Sequence, residues 1–173
     1  MVKKKTKTFS FFFIYLALVL FVLDFASKII TSKYLPLMGY DDLWYPFGGI
    51  PVFSNFLGIQ FSIVHAINKG AAWGIFADYQ TSLLYFRIIL IFTTLIYAVY
   101  FNKNSQYNIP LTLILTGATC NVLDYFIYGH VVDMFYFIFW GFSYPVFNIA
   151  DILIFIGIFW LVLFTNPHKL KSG

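Results

Sequence analysis

Glutamate is absent from all 173 residues, and arginine occurs once, as Arg87. Any acid–base chemistry therefore falls to the seven aspartates. The single cysteine, Cys120, excludes an internal disulfide, and there is no CxxC or CxxH spacing for a structural zinc. His65, His130 and His168 lie far apart without an HExxH pattern, so neither a metal nor another cofactor is expected. No GxSxG motif or plausibly spaced Ser–His pair points to a serine nucleophile, and Cys120 has no neighbouring base. Charge is scarce too: 10% of residues carry it, against 61% hydrophobic and a mean hydropathy of +0.81. That excludes an ordinary soluble domain and describes a membrane protein. The net charge of +4 does not signal nucleic acid, because the lysines cluster at the two ends of the chain and read as topology.

What is present is a series of apolar runs. Lys3, Lys4, Lys5 and Lys7 precede an uncharged run from Thr8 to Leu23 whose apolar character continues through Ile30 without a small-residue cleavage site, so a retained first span is expected over about 9–30. Asp24 and Lys28 share one face of it at i,i+4, as a structural ion pair, with Lys28 snorkelling to the interface, or as a pair orienting a polar site. Residues 31–80 break the pattern with proline, glycine and aspartate and predict a small β-rich platform on the bilayer. Within it, Ile59 to Ile63 alternates with period two and predicts a strand. The segment from Asn68 through Gly70 to Gly74 then combines an amide with small residues that admit a close backbone, or forms a turn into a helix anchored by Trp73. Further spans are expected at about 82–101, interrupted only by Arg87, at 109–128, opened by Pro110, and at 147–165.

Four spans put both termini on one face with the 102–108 loop, and that face collects most of the lysines, so it is expected to be cytoplasmic. Asp24, Arg87, Asp124 and Asp151 then fall in one layer roughly 6–9 Å below the outer surface, at 1.5 Å per helical residue. Charges at one depth on four helices are expected to face a shared interior. Asp133, just past the third span, reaches it from an aromatic-rich connector.

The chemistry expected there is that of carboxylates. Two carboxyl groups brought together in low dielectric cannot both ionise easily, so one keeps a proton while the other polarises water. Asp133 and Asp151 are best placed for this. Asn148 with Asp151 also reads as a helix N-cap and its N3 acid, and the helix N-terminus favours the anion of Asp151. Asn121 and Asp124, at i,i+3, either support the pair or bind Arg87.

Four blocks now make a specific pattern: DFASK at 24–28, NKGAAWG at 68–74, GATCNVLDYFIYGHVVDMF at 117–135 and FNIADILI at 147–154. In this order across four spans they resemble the lipoprotein signal peptidases, the bacterial type II signal peptidase family. The resemblance implies an α-helical membrane protein, a four-transmembrane-helix bundle with an extracytoplasmic β-cradle. It implies an inner-membrane aspartyl endopeptidase that removes signal peptides from prolipoproteins just before a diacylglyceryl-modified cysteine. The expected partners are those lipid-modified substrates and membrane lipid, with the enzyme a monomer. Carried over by position, the catalytic dyad falls on Asp133 and Asp151. Asn68, Asn121, Asp124 and Asn148 match the family's polar positions, Gly70 lies in its second block, and Asp24 with Lys28 matches the first-helix pair. The chain departs from the pattern at Tyr125, where the family has arginine, at Thr116 in place of a glycine, and at Trp73 in place of phenylalanine. Arg87 is the expected substitute for the missing arginine beside Asp124, and protonation of Asp124 is the alternative. The competing expectations are a small proton-coupled carrier with an aspartate relay, or a non-enzymatic membrane assembly factor.

Overall fold

Twenty-four residues from Phe11 to Tyr34 form α1, and the only buried ones are Asp24, Lys28 and Thr31. Their spacing of four and three puts them on one stripe of the helix. The rest of the surface is apolar and exposed, which inverts the amphipathicity of a soluble helix: lipid tails accept leucine and phenylalanine, while a charge must turn inward. The computed structural model describes residues 11–39, 42–70 and 77–164. The terminal lysines, His168, and the 71–74 part of the second block lie outside the described residues.

The remaining helices are α2 (Gln80–Ile96), continued by a π-helical turn at Tyr97–Phe101, α3 (Asn108–Tyr128) and α4 (Ile149–Phe164). Three of the helical stretches, Phe11–Tyr34, Gln80–Phe101 and Ser105–Tyr128, are long and apolar enough to cross a membrane, and α4 is a shorter apolar helix. α3 is the central one, packed against α1, α2 and α4, and its buried positions include Thr116, Gly117, Cys120, Asn121 and Asp124. α3 and α4 approach closely because two glycines leave room. A Cβ on Gly117 would lie 2.4 Å from the Ala150 carbonyl oxygen, and one on Gly157 would lie 2.6 Å from Ile114 Cγ1.

Four antiparallel strands form one sheet in the order β1 (Ile50–Phe56), β2 (Ile59–Asn68), β3 (Val131–Phe139) and β4 (Phe142–Ser143). The strand expected at 59–63 is present and runs on to Asn68. The sheet is not confined to 31–80, however: the aromatic-rich segment after α3, expected to be a connector, is strand β3. Its sequence VVDMFYFIF lacks clean alternation because both faces are covered at its start, where Val131 to Met134 are all buried. Gly129 makes the turn from α3 into β3 at φ 75°, a left-handed conformation natural to glycine, and its N–H closes the helix on the Tyr125 carbonyl at 2.9 Å. The register sets Asn68 opposite Val131 and Ala66 opposite Asp133.

The two faces of β2 are buried to different degrees. Ser62 and Val64 are the fully buried positions, while Phe61, on the apolar side of the alternation, is half-buried. Phe61 stacks on Phe137 with ring centroids 4.3 Å apart, and Phe137 stacks on Phe147 at 5.9 Å. The ladder of rings continues the apolar surface of the helices onto the sheet.

Candidate active site

Among the described residues the most buried cation is Lys28, with 0% of its side chain exposed. Its ammonium lies 2.7 Å from Asp24 Oδ2 and 2.7 Å from Asp124 Oδ2, and it donates to Asn121 Oδ1 at 3.0 Å. All three N–H donors are thus used, as a buried ammonium requires. Two carboxylates share the one ammonium, and backbone N–H groups add to their partners. Ala150 N donates to Asp24 Oδ1 at 2.8 Å, and Val132 N reaches Asp124 Oδ2 at 3.4 Å. Asp24 therefore joins α1 to the first turn of α4, where N–H groups have no intrahelical acceptor. The expected Asp24–Lys28 pair is found, but Asp124 does not pair with Arg87. Lys28 neutralises it, since the stripe on α1 faces α3 directly.

The cluster also fixes an amide. Lys28 can only donate, so Asn121 must turn its oxygen toward it, and its Nδ2 is left to donate to Asp151 Oδ1 at 2.8 Å. Asn148 is the second orienting amide. Its side-chain oxygen accepts from Asp151 N at 2.9 Å, while its own N–H donates to Asp151 Oδ2 at 3.2 Å, a reciprocal capping box at the start of α4. Its Nδ2 donates to Asp133 Oδ1 at 2.7 Å, with Asn121 Oδ1 and the Val132 carbonyl at 3.1 and 3.3 Å. One asparagine thus contacts both Asp133 and Asp151. On the far side, Asn68 Nδ2 donates to Asp133 Oδ2 at 2.9 Å.

Asp133 is 1% exposed. Burial pushes its carboxyl up to about 7, and the negative charge of Asp151 adds to the shift, against the pull of the Asn68 and Asn148 amides and Lys28. Asp151 instead lines a cleft of about 430 Å³ together with Asn68, Gly70, Arg87 and Asn121. The apolar wall of the cleft includes Tyr144, Phe147, Ile152 and Phe155.

The structure thus brings together Asn68, Asn121, Asp133, Asn148 and Asp151, with Asp24, Lys28 and Asp124 behind Asn121. Arg87 joins the site by another route, donating from Nη2 to the Gly70 carbonyl at 2.8 Å. Sequence reasoning missed the backbone partners Val132 and Ala150 and the aromatic wall from Tyr144 to Phe147. Nothing in a run of apolar letters marks which peptide groups will meet a carboxylate. Cys120 is 2% exposed, a core residue beside the ionic cluster.

A helical membrane protein with a small antiparallel sheet and two aspartates joined by a shared asparagine beside a cleft is the class defined so far. Comparison with known proteins makes it specific. Residues 16–166 match the Signal peptidase (SPase) II family. The chain is similar to lipoprotein signal peptidases from Chlamydia pneumoniae, 35% identical over 89% of this chain and 91% of that protein, and from Pasteurella multocida, 34% identical over 91% of each. A solved structure described as a bacterial membrane enzyme superposes with a TM-score of 0.78 at 25% identity, covering 96% of this chain and 94% of the other. The chain belongs to the signal peptidase II family and is a membrane protease of that family. The carrier and assembly-factor expectations fall with that membership.

Proposed function

We propose that this protein is an aspartic endopeptidase that removes signal peptides from prolipoproteins, cutting before a lipid-modified cysteine, with Asp133 and Asp151 as its catalytic pair. The observation that carries the reading is Asn148, whose amide and backbone N–H bond to both carboxylates at 2.7 and 3.2 Å. In this reading Asp133 holds the proton and Asp151 is the anion, matching burial of the first and helix N-terminal bonding of the second. Asp151 takes a proton from a water while Asp133 gives one to the scissile carbonyl oxygen, forming a gem-diol. The diol's collapse returns a proton to Asp133, and the leaving amine takes the one held by Asp151.

The cleft lies between Arg87 on α2 and Ile152 and Phe155 on α4. A signal helix arriving from the lipid enters sideways between these helices, and its cleavage segment extends past Asn68. In the cell the chain is a multi-pass protein of the bacterial inner membrane, its four helices spanning with both termini cytoplasmic and the cleft near the outer face. It works as a monomer. The test is cleavage of a diacylglyceryl-modified prolipoprotein by purified protein. Asp133→Asn and Asp151→Asn each abolish cleavage while the protein keeps the wild-type melting temperature to within a few degrees. Normal turnover by either variant overturns the assignment, and equal cleavage of the unlipidated substrate overturns the lipid requirement.

A further inference from the structure

Arg87 was expected beside Asp124, and its place in the structure gives it a different task. Gly70 is buried, and a buried carbonyl needs a donor. Arg87 Nη2 provides one at 2.8 Å. The Gly70 N–H donates in turn to Asn68 Oδ1 at 3.0 Å. With its oxygen held in this way, the Asn68 amide can offer only its nitrogen to the other side, where it donates to Asp133 Oδ2 at 2.9 Å. We propose that Arg87 is a positioning residue of the active site: it holds the Gly70 carbonyl, Gly70 sets the orientation of the Asn68 amide, and Asn68 holds the carboxyl of Asp133.

The proposal rests on the catalytic reading above. It makes α2 the counterpart of α1. Lys28, a donor-only side chain, orients Asn121 toward Asp151, and Arg87, acting through a peptide unit, orients Asn68 toward Asp133. Arginine suits the task because its planar fork fixes the direction of each N–H, whereas an ammonium is a point charge on a flexible stem. Arg87 also lines the cleft, so the helix that frames the entry path is the one that steadies Asp133.

The test must separate this relay from simple attraction between the guanidinium and the carboxylates. The charged groups around Asp133 are Asp151 on α4, Lys28 and Asp24 on α1, Asp124 on α3 and Arg87 on α2. Asp151, Lys28, Asp24 and Asp124 stay in place in a cycle built on Arg87→Gln, Asn68→Ala and the double variant, with cleavage of a lipidated prolipoprotein measured across pH. Loss of a donor to the carboxylate favours the protonated acid, so Asn68→Ala moves the alkaline limb of kcat/KM upward by about half to one pH unit. Arg87→Gln moves it the same way and lowers kcat. The double variant matches Asn68→Ala alone, because both act along one path. Arg87→Lys, which keeps the charge without the fork, falls nearer to Arg87→Gln than to wild type, and it carries the cycle if Arg87→Gln does not fold. Additive limb shifts in the double variant, or a wild-type limb and rate in the Arg87 variant, overturn the relay. Cleavage by Asp133→Asn overturns the catalytic reading instead, so the two failures are distinguishable.

Discussion

Asp133 illustrates how one residue takes its character from burial. Its carboxyl is raised from 3.8 to about 7, first by desolvation and then by the charge of Asp151. A raised folded-state value means that the folded protein prefers the protonated acid. The associated stability is fully present below the unfolded value near 3.8 and is lost as pH rises through about 7. Thermal unfolding in detergent is therefore expected to show a melting temperature falling between about pH 4 and 7 in the wild type relative to Asp133→Asn. The difference between the two curves levels off above that window. Lys28 is the second residue whose surroundings set a clear expectation. Lys28→Met leaves two buried carboxylates facing each other across the site and is expected to cost about 3–5 kcal/mol. Adding Asp24→Asn and Asp124→Asn to it recovers much of the loss, measured by the same melts, because the buried charge is then gone as well.

Among the elements, the pairing of α3 with α4 bears most directly on the chemistry, since α3 carries Asn121 and α4 begins at Asn148 and Asp151. Gly117 and Gly157 both permit the close approach, but at different heights. A methyl group at Gly117 meets the Ala150 carbonyl at the first turn of α4, next to Asp151, whereas one at Gly157 meets Ile114 and the Pro110 carbonyl further down. Both Gly117→Ala and Gly157→Ala are expected to destabilise by about 1–3 kcal/mol through overpacking. Only Gly117→Ala is expected to reduce cleavage strongly, by about a hundredfold, since it displaces the turn that holds Asp151. Melting curves and kcat/KM measured on the same preparations separate the two effects.

The helices were readable at this scale and the sheet only in part. Apolar runs bounded by lysine, proline and asparagine mark the helices, because a lipid-facing surface leaves a continuous hydropathy signal. Ile59 to Ile63 marks β2 by alternation. β3 leaves no such mark: it is covered on both faces at one end and carries stacked rings at the other, so period two is lost. β1 is broken by register shifts between Pro51 and Phe53 and between Phe53 and Phe56, which blur its pattern.

For the whole molecule, the consequence is a cleft framed by α2 and α4 beside a sheet whose hairpin tips carry exposed Leu57 and Trp140. Topology is open to direct test because the native thiol is hidden: Cys120 is 2% exposed and gives little labelling background. Ser54→Cys, on exposed β1, is expected to react with a membrane-impermeant maleimide added outside intact cells. Ser105→Cys, in the exposed 3-10 turn that leads into α3, reacts only after the cells are opened. The reverse pattern would invert the orientation drawn from the lysines.

The sequence by itself determined that the chain is a helical membrane protein, that aspartate is its one acidic side chain, and that four ordered blocks align it with the signal peptidases. These features depend on composition and on local spacing, which survive in a linear string. Only the tertiary structure decided which charges meet. Asp24 with Lys28 was readable at i,i+4, but the Lys28–Asp124 pair, the Asp24 bond to Ala150 N and the Arg87 bond to Gly70 join residues far apart in the chain. The depth expected from the sequence put Arg87 and Asp124 in one layer and could not tell which way each faced. That was settled by the packing of α1 against α3 and by the hydrogen-bonding needs of buried groups, each of which requires a partner wherever the fold brings one.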